Sequence, residues 1–171
     1  PRANGAAGPP VVIDPAAAAA AAAADEIELI PSKDVMLTMK QCQQLVLPLK
    51  REPNADFFTS PVDPVALNLP DYTTVIKKPM DLGSIEKKLE ARSYSHPGEF
   101  VDDVRLVWAN ARLYNPPGTI VHQSAVYFRN IFERNLFMTV KPDAPPPPQV
   151  MAAAHSEAAP PPLKGAASFK A

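Results

Sequence analysis

Asn115 is a polar residue for which the sequence offers a binding role beside a structural one. It follows Tyr114 at the end of a helical pattern and precedes Pro116, which cannot continue a helix. A carboxamide at this point carries both a donor and an acceptor, so it could face a cavity and bind a neutral polar ligand. Asparagine also commonly closes a helix C-terminus, and spacing alone favours that structural role.

The residue types needed for catalysis or metal binding form no recognisable pattern. His96, His122 and His155 are scattered, none belongs to an i, i+4 pair, and no glycine-rich phosphate loop or nucleophile elbow is present. Cys42 is the only cysteine, which excludes an internal disulfide and a thiolate cluster for zinc or iron-sulfur. We therefore expect no enzyme activity, no metal and no cofactor.

Length and composition predict one compact domain between two tails. The chain has 171 residues, whereas one domain usually takes about 100 to 200. Most of the 22 prolines and the alanine run at 16–24 lie outside residues 33–140. We predict a domain over 33–140, with disordered tails rich in alanine and proline at 1–32 and 141–171.

Charge and hydropathy give no sign of a nucleic-acid or membrane partner. Lysine and arginine total 17 against 18 acidic residues, and no basic patch exceeds the lysine pairs at 77–78 and 87–88. The alanine run is too short and too weakly apolar to cross a bilayer, and no signal segment follows Pro1. We expect a monomer without a membrane partner or specific nucleic-acid binding.

Apolar residues recur every three or four positions in four segments, which predicts an all-helical domain. The first helix is predicted over residues 33–50, with Met36 among its apolar positions. Pro48 is expected to kink or end this helix, because proline removes one backbone donor.

Three more long helices are predicted downstream. Asp81 is expected to cap a helix that ends near residue 92, and Pro97 to lie in the first turn of the next. That helix carries Trp108 at a core spacing and breaks at residues 115–118. A final apolar face runs from residue 121 to about residue 140.

Residues 51–80 form a long loop, because five prolines prevent any long helix or central strand. Loops of this length are usually functional or disordered, and the apolar and aromatic residues here favour a packed, functional loop. Asp71 is expected to cap a short helix within it that stops before Pro79. If this loop and the turn at 115–118 meet at one end of the bundle, they frame a pocket.

Four segments of these loops together resemble a bromodomain, most like the bromodomain and extra-terminal type. In chain order they are Pro61-Val62-Asp63-Pro64, Leu67-Asn68-Leu69-Pro70-Asp71-Tyr72, Ile76-Lys77-Lys78-Pro79-Met80-Asp81-Leu82 and Tyr114-Asn115-Pro116-Pro117. The resemblance covers about residues 33–140. It implies a left-handed antiparallel four-helix bundle with a long ZA loop and a short BC loop.

The resemblance further implies a reader of acetyl-lysine on histone tails or other acetylated nuclear proteins, which recruits chromatin or transcription complexes in the nucleus. Asn115 would donate a hydrogen bond to the acetyl carbonyl, and the Tyr72 hydroxyl would contact it through an ordered water. The implied walls of the pocket are apolar or aromatic residues, namely Val62, Leu67, Leu69, Phe58, Ala111, Tyr114 and Val121. These residues could equally be ordinary core, and the domain could be a degenerate bromodomain that acts as a docking scaffold without binding acetyl-lysine.

One departure from the family concerns the shelf beside the pocket. Where the family usually has Trp-Pro-Phe, this sequence has Asp56-Phe57-Phe58, so ligands that depend on the shelf should bind less tightly. Asp56 could attract a basic residue that flanks the acetyl-lysine, or it could be an exposed acid with no role. Ungapped alignment places Val121 at the gatekeeper position, and a slip by one would place Ile120 there.

Overall fold

The computed structural model describes residues 30–145 and residue 148, and within these residues it is all-helical. The α-helices are α1 (Met39–Leu49), α2 (Tyr72–Val75), α3 (Leu82–Glu90), α4 (Pro97–Tyr114) and α5 (Ile120–Val140). Two 3₁₀ turns cover Ser32–Asp34 and Ala55–Phe57. The all-helical prediction is confirmed, whereas nearly all of the predicted tails lies outside the described residues.

Helix α1 begins later than predicted. The Thr38 hydroxyl oxygen accepts the N–H of Gln41 at 3.3 Å, and the Gln41 side chain accepts the N–H of Thr38 at 2.9 Å. This capping box fixes the start at Met39. The prediction of a helix from residue 33 with Met36 on its buried face was wrong, since Met36 precedes α1 and is 78% exposed. Pro48 lies in the last turn of α1, as predicted.

The starts of α3 and α4 agree with the prediction. Asp81 caps α3 by accepting the N–H of Ser84 at 2.8 Å. Pro97 is the first residue of α4, and the Nδ1 of His96 before it accepts the N–H of Gly98 at 2.9 Å. Both helices therefore begin where local capping chemistry places them.

Aromatic side chains fill the core between α4 and α5. Trp108 is 1% exposed and stacks on Phe128, with ring centroids 5.4 Å apart. Phe58 from the long loop meets Trp108 edge-on at 5.2 Å. Such pairs contribute about 0.5–1.5 kcal/mol each beyond the area they bury. The predicted core position of Trp108 is confirmed.

Arg105 of α4 attaches the segment before α1 to the bundle. Its Nε and Nη2 donate to the two carboxylate oxygens of Glu133 in α5, at 2.8 and 2.9 Å. The same guanidinium donates to the Ser32 hydroxyl and to the carbonyl oxygen of Ile30, each at 2.9 Å. One arginine therefore joins α4, α5 and the N-terminal segment of the described chain.

Replacing Arg105 tests this junction. Arg105→Met is expected to lower the free energy of unfolding by about 3–5 kcal/mol, because a buried carboxylate would lose its counter-charge. The side chain of Glu133 is only 3% exposed. Lys50→Met is the control, since the Lys50–Glu86 pair is 34% and 29% exposed and should contribute about 0–1 kcal/mol. Urea denaturation measures both, and equal losses would contradict the prediction.

Candidate functional site

The long loop is anchored in the core where it begins. Phe58 is buried against Trp108 and Phe128, and its carbonyl oxygen accepts the N–H of Leu82 at 2.8 Å. A Cβ atom on Gly83 would lie 2.5 Å from the Thr59 carbonyl oxygen. Glycine at position 83 therefore allows the loop to approach the first turn of α3.

The middle of the loop is held by its own hydrogen bonds. The Asp63 carboxylate accepts the N–H groups of Val65 and Ala66 at 2.9 and 3.1 Å. The N–H of Leu69 then donates to the Pro64 carbonyl oxygen at 2.8 Å. An aspartate that bonds the backbone two and three residues ahead is typical of a tight turn. The middle of the loop is therefore ordered by hydrogen bonds within the loop itself rather than by pairing with a strand or a helix.

Helix α4 holds the end of the loop through two side chains. Asn110 donates to the Lys78 carbonyl oxygen at 2.8 Å, and the Tyr114 hydroxyl donates to the Asp71 carboxylate at 2.7 Å. The rings of Tyr114 and Tyr72 are 5.0 Å apart, edge to face. The long loop and the end of α4 therefore meet at one end of the bundle.

The predicted capping role of Asp71 was wrong. Asp71 occupies the position before α2, but its side chain makes no capping hydrogen bond. Its carboxylate instead accepts the Tyr114 hydroxyl, a contact between residues 43 positions apart in the sequence. The physical reason is competition, since one carboxylate bonded to a phenol is no longer directed at the N–H groups of α2.

Asn115 closes α4 and turns back on it. Its backbone is extended, with φ −100° and ψ 127°. Its N–H and its side-chain Nδ2 both donate to the Ala111 carbonyl oxygen, at 3.0 and 2.8 Å. The residue is partly buried, and its second Nδ2 hydrogen and its Oδ1 have no partner among residues 30–145. The carboxamide is thus a helix cap with one donor and one acceptor still available.

The carbonyl oxygen of Asn115 contacts the first turn of α5. The Nδ1 of His122 lies 2.9 Å from this oxygen. Thr119 caps α5 by accepting the N–H of His122 at 3.3 Å, and its hydroxyl donates to the Pro116 carbonyl oxygen at 2.8 Å. Gly118 adopts φ 88° in the intervening turn, a left-handed conformation that glycine tolerates.

The hydroxyls of the paired Tyr72 and Tyr114 stay neutral at physiological pH. Tyr72 is 7% exposed, and its burial, followed by the charge of Asp81, raises its pKa. Burial and the hydrogen bond to Asp71 raise the pKa of Tyr114 to about 12. The Tyr72 hydroxyl has no hydrogen-bond partner in the described part of the chain. This end of the bundle therefore presents two protonated hydroxyls beside the exposed Asp71 carboxylate.

The remaining predicted site residues differ in exposure. Val62, Leu69, Ala111, Tyr114 and Val121 are partly buried, as is Ile120, the alternative gatekeeper. Leu67 is 43% exposed, whereas Phe58 is core at 3%. Of the predicted shelf, Asp56 is exposed and Phe57 packs against the core. Their roles toward a ligand stay predictions.

Two surface hollows lie away from these residues. One of about 290 Å³ lies between α1 and α5 and is lined by Gln41, Gln44, Leu45, Asn135, Met138 and Thr139. The other, of about 150 Å³, lies between α1 and α3. Neither includes a predicted site residue, so the candidate site is defined by unpaired polar atoms rather than by either hollow.

Comparison with known protein families identifies the family to which this chain belongs. The model of the Bromodomain family matches residues 42–127. The chain belongs to the bromodomain family. Its relatives are of the bromodomain and extra-terminal type, which confirms the predicted resemblance.

Individual relatives match more than half of the chain. The SWR1 complex bromodomain subunit bdf1 of Schizosaccharomyces pombe is 46% identical over 97 residues, which are 57% of this chain and 17% of that protein. Transcription factor GTE9 of Arabidopsis thaliana is 48% identical over 99 residues, which are 58% and 14%. This chain thus spans only a small part of the length of these relatives.

A solved structure supports the same fold. The second bromodomain of Candida albicans Bdf1, bound to an imidazopyridine, is 40% identical with a TM-score of 0.54. The match covers 57% of this chain and 94% of that one.

Within the described part of this bromodomain, no helix has the length and apolar character of a membrane span. Residues 30–145 also contain no cluster of three or more His, Cys, Asp or Glu suited to a metal ion.

Sequence reasoning missed two residues that shape this end of the bromodomain. Asn110 lies three residues after Val107 and four before Tyr114, on the apolar face of α4. A polar residue on a buried helix face needs a partner, and this signal could have identified Asn110. His122 carried no comparable signal, because its contact with Asn115 depends on how α4 and α5 meet.

Alkaline titration tests the contact between Tyr114 and Asp71. The pKa of Tyr114 is raised from 10.0 to about 12, so the stabilisation is present below pH 10 and is lost as the pH rises through 12. Tyr114→Phe should lower the free energy of unfolding by about 0.5–1.5 kcal/mol at neutral pH. It should also remove one tyrosine that ionises near pH 12, measured by tyrosinate absorbance. Tyr127→Phe, which removes a contact with Glu52 at 2.9 Å, is the matched comparison. An unchanged titration in Tyr114→Phe would contradict the assignment.

Proposed function

We propose that this bromodomain binds acetyl-lysine between the end of α4 and the long loop, and that it performs no catalysis. The observation that supports the proposal is the Asn115 carboxamide, which is partly buried and keeps one N–H and its Oδ1 without a partner among the described residues. Partly buried polar atoms are more stable when a ligand or water pairs with them. An acetyl carbonyl is a suitable acceptor for the remaining N–H.

The neighbouring groups suit the rest of an acetylated side chain. The hydroxyl of Tyr72 would reach the acetyl carbonyl through an ordered water, a contact nearly as favourable as a direct hydrogen bond. Val62, Leu67 and Leu69 of the loop would contact the acetyl methyl and the lysine stem. On the opposite side, Ala111, Tyr114 and Val121 would complete the walls, with Phe58 beneath them in the core.

Selectivity for the acetylated form follows from charge. Acetylation replaces a strongly hydrated ammonium with a neutral amide. Burying an ammonium without a partner costs several kcal/mol even after relaxation, and about 1.4 kcal/mol corresponds to a tenfold change in affinity. We therefore expect discrimination on the order of a hundredfold or more against unmodified lysine.

The affinity for a single peptide should nevertheless be modest. One neutral hydrogen bond contributes roughly 1 kcal/mol net, so Asn115 supplies orientation more than binding energy. The expected dissociation constant is about 10 to 100 µM, or roughly −7 to −5.5 kcal/mol.

The partners are proposed from the relatives. Their names, a subunit of the SWR1 complex and a transcription factor, support acetylated histone tails or other acetylated nuclear proteins as ligands. The protein would then act in the nucleus and recruit chromatin or transcription complexes. Because one fold hosts many functions, this step depends on the relatives and on the site together.

Peptide titration tests the proposal. Isothermal titration of acetylated and unmodified histone-tail peptides should show binding of the acetylated form alone. Asn115→Ala should weaken that binding at least about tenfold, because both the donor and its orientation are lost. Asn135→Ala makes the same chemical change on α5 beside the 290 Å³ hollow and should bind normally. Equal binding of unmodified peptide would refute acetyl-lysine recognition, and normal binding by Asn115→Ala would refute the proposed role of Asn115.

The competing function is a docking scaffold that does not bind acetyl-lysine. The exposed Asp56 at the predicted shelf favours it, because an acid offers a peptide less apolar contact than an aromatic ring. Under this alternative, the same titrations show no dependence on acetylation.

Asp56 also has a testable role within the reader function. If its carboxylate attracts a basic residue that flanks the acetyl-lysine, Asp56→Asn should weaken binding of a basic acetylated peptide by up to about fivefold, as expected for an exposed ion pair. The loss should shrink at high salt. A peptide with neutral flanking residues is the control and should bind both proteins equally. Unchanged affinity for the basic peptide would leave Asp56 without a role.

A further inference from the structure

Three hydrogen bonds hold Asn115, and they differ in origin. Its N–H and Nδ2 both donate to the Ala111 carbonyl oxygen within α4. The third bond involves its carbonyl oxygen and the Nδ1 of His122, at 2.9 Å. Only this third bond comes from α5, so His122 links Asn115 to the neighbouring helix across the turn at 116–119.

The bond fixes the tautomer of His122. A carbonyl oxygen can only accept, so the Nδ1 of His122 must carry a hydrogen. His96 is the opposite case, because its Nδ1 accepts the N–H of Gly98 at 2.9 Å. When neutral, His96 therefore carries its hydrogen on Nε2. The two histidines among the described residues are therefore expected to carry their hydrogen on different ring nitrogens when neutral.

The Asn115 carbonyl oxygen lies where α4 ends and the turn to α5 begins. Pro116 and Pro117 follow it, and Gly118 at φ 88° gives the turn conformational freedom. Pro116 favours extended backbone at Asn115, and within the described residues the bond from His122 is the one hydrogen bond that holds this carbonyl oxygen to α5. A binding group must be held within about 0.5 Å of its productive position to be effective. His122 is placed to supply that restraint.

We propose that His122 is a positioning residue that donates its Nδ1 hydrogen to the Asn115 carbonyl oxygen and thereby fixes the Asn115 carboxamide for ligand binding. The consequence for affinity rests on the proposed acetyl-lysine function. The tautomer and the restraint on Asn115 do not, so they are measurable without any ligand.

The first experiment is nuclear magnetic resonance on the free domain. Long-range imidazole nitrogen correlations at a pH where both rings are neutral should show the Nδ1–H tautomer for His122 and the Nε2–H tautomer for His96. The side-chain amide resonances of Asn115 should shift in His122→Leu and return toward the wild-type positions in His122→Asn. Asparagine places an amide nitrogen at the same number of bonds from Cα as the Nδ1 of histidine. An Nε2–H tautomer at His122, or unshifted Asn115 resonances in His122→Leu, would overturn the proposal.

The second experiment is titration with an acetylated histone-tail peptide. His122→Leu should weaken binding about three- to tenfold, the loss expected for one hydrogen bond, and His122→Asn should recover most of the affinity. His96→Leu is the control, because it removes the cap of α4 and should lower stability in urea without weakening binding by folded protein. If His122→Leu does not fold, the proposed role of His122 is tested by the histidine tautomer in the wild type and by the affinity of His122→Asn.

The two proposals fail in different ways. If wild-type protein binds the acetylated peptide and His122→Leu binds it equally well, the positioning role is wrong while the reader function stands. If wild-type protein binds no acetylated peptide, the reader function fails. The tautomer and the Asn115 resonances then decide alone whether His122 positions the carboxamide.

Discussion

The end of α4 at Asn115 is the constraint on which the proposed site depends. Pro116 has no amide hydrogen and restricts the residue before it to extended backbone, and Asn115 accordingly has ψ 127°. Its N–H and Nδ2 both return to the Ala111 carbonyl oxygen. The capping role and the binding role that seemed alternatives from spacing are therefore compatible, since capping uses only one of the two Nδ2 hydrogens.

Helix α4 also determines where the long loop lies. Asn110 and Tyr114 are four residues apart, so they project from the same face of the helix. They hold the loop at Lys78 and Asp71, while Phe58 holds its beginning in the core. Ordering so many residues without regular structure costs conformational entropy, and these contacts offset part of that cost. The end of α4 and the loop thus form one unit, and the same helix that presents Asn115 positions the wall opposite it.

Features set by neighbouring residues, such as helices and their starts, were predictable from the sequence. Contacts between residues far apart in the sequence were not. The helices followed from apolar periodicity, and the starts of α3 after Asp81 and of α4 at Pro97 involve neighbours within a few residues. The start of α1 was wrong because Met36 continues the apolar spacing, although Thr38 with Gln41 already forms a capping signature. Asp71 is a different case, because nothing local shows that a tyrosine 43 residues away takes its carboxylate.

Within the site, the sequence indicated Asn115 and Tyr72 only through the resemblance of the surrounding segments to a known family. Spacing alone favoured a purely structural Asn115. The bond between Asn110 and Lys78 and the contact of His122 with Asn115 join residues from different elements. Their geometry depends on how α4, α5 and the loop pack, which residue patterns along a single chain do not specify.

The nearby carboxylates bear directly on whether such a site could reject unmodified lysine. Asp81 is 5% exposed, but both of its oxygens accept from Ser84, one from the backbone N–H and one from the hydroxyl. Asp71 is exposed and accepts from Tyr114, and an ammonium paired with an exposed acid gains little because both remain hydrated. Neither acid is therefore an unpaired, buried counter-ion for a lysine. With the Tyr72 hydroxyl protonated because burial raises its pKa, the groups around Asn115 favour a neutral amide, which needs a donor and apolar contact but no opposite charge.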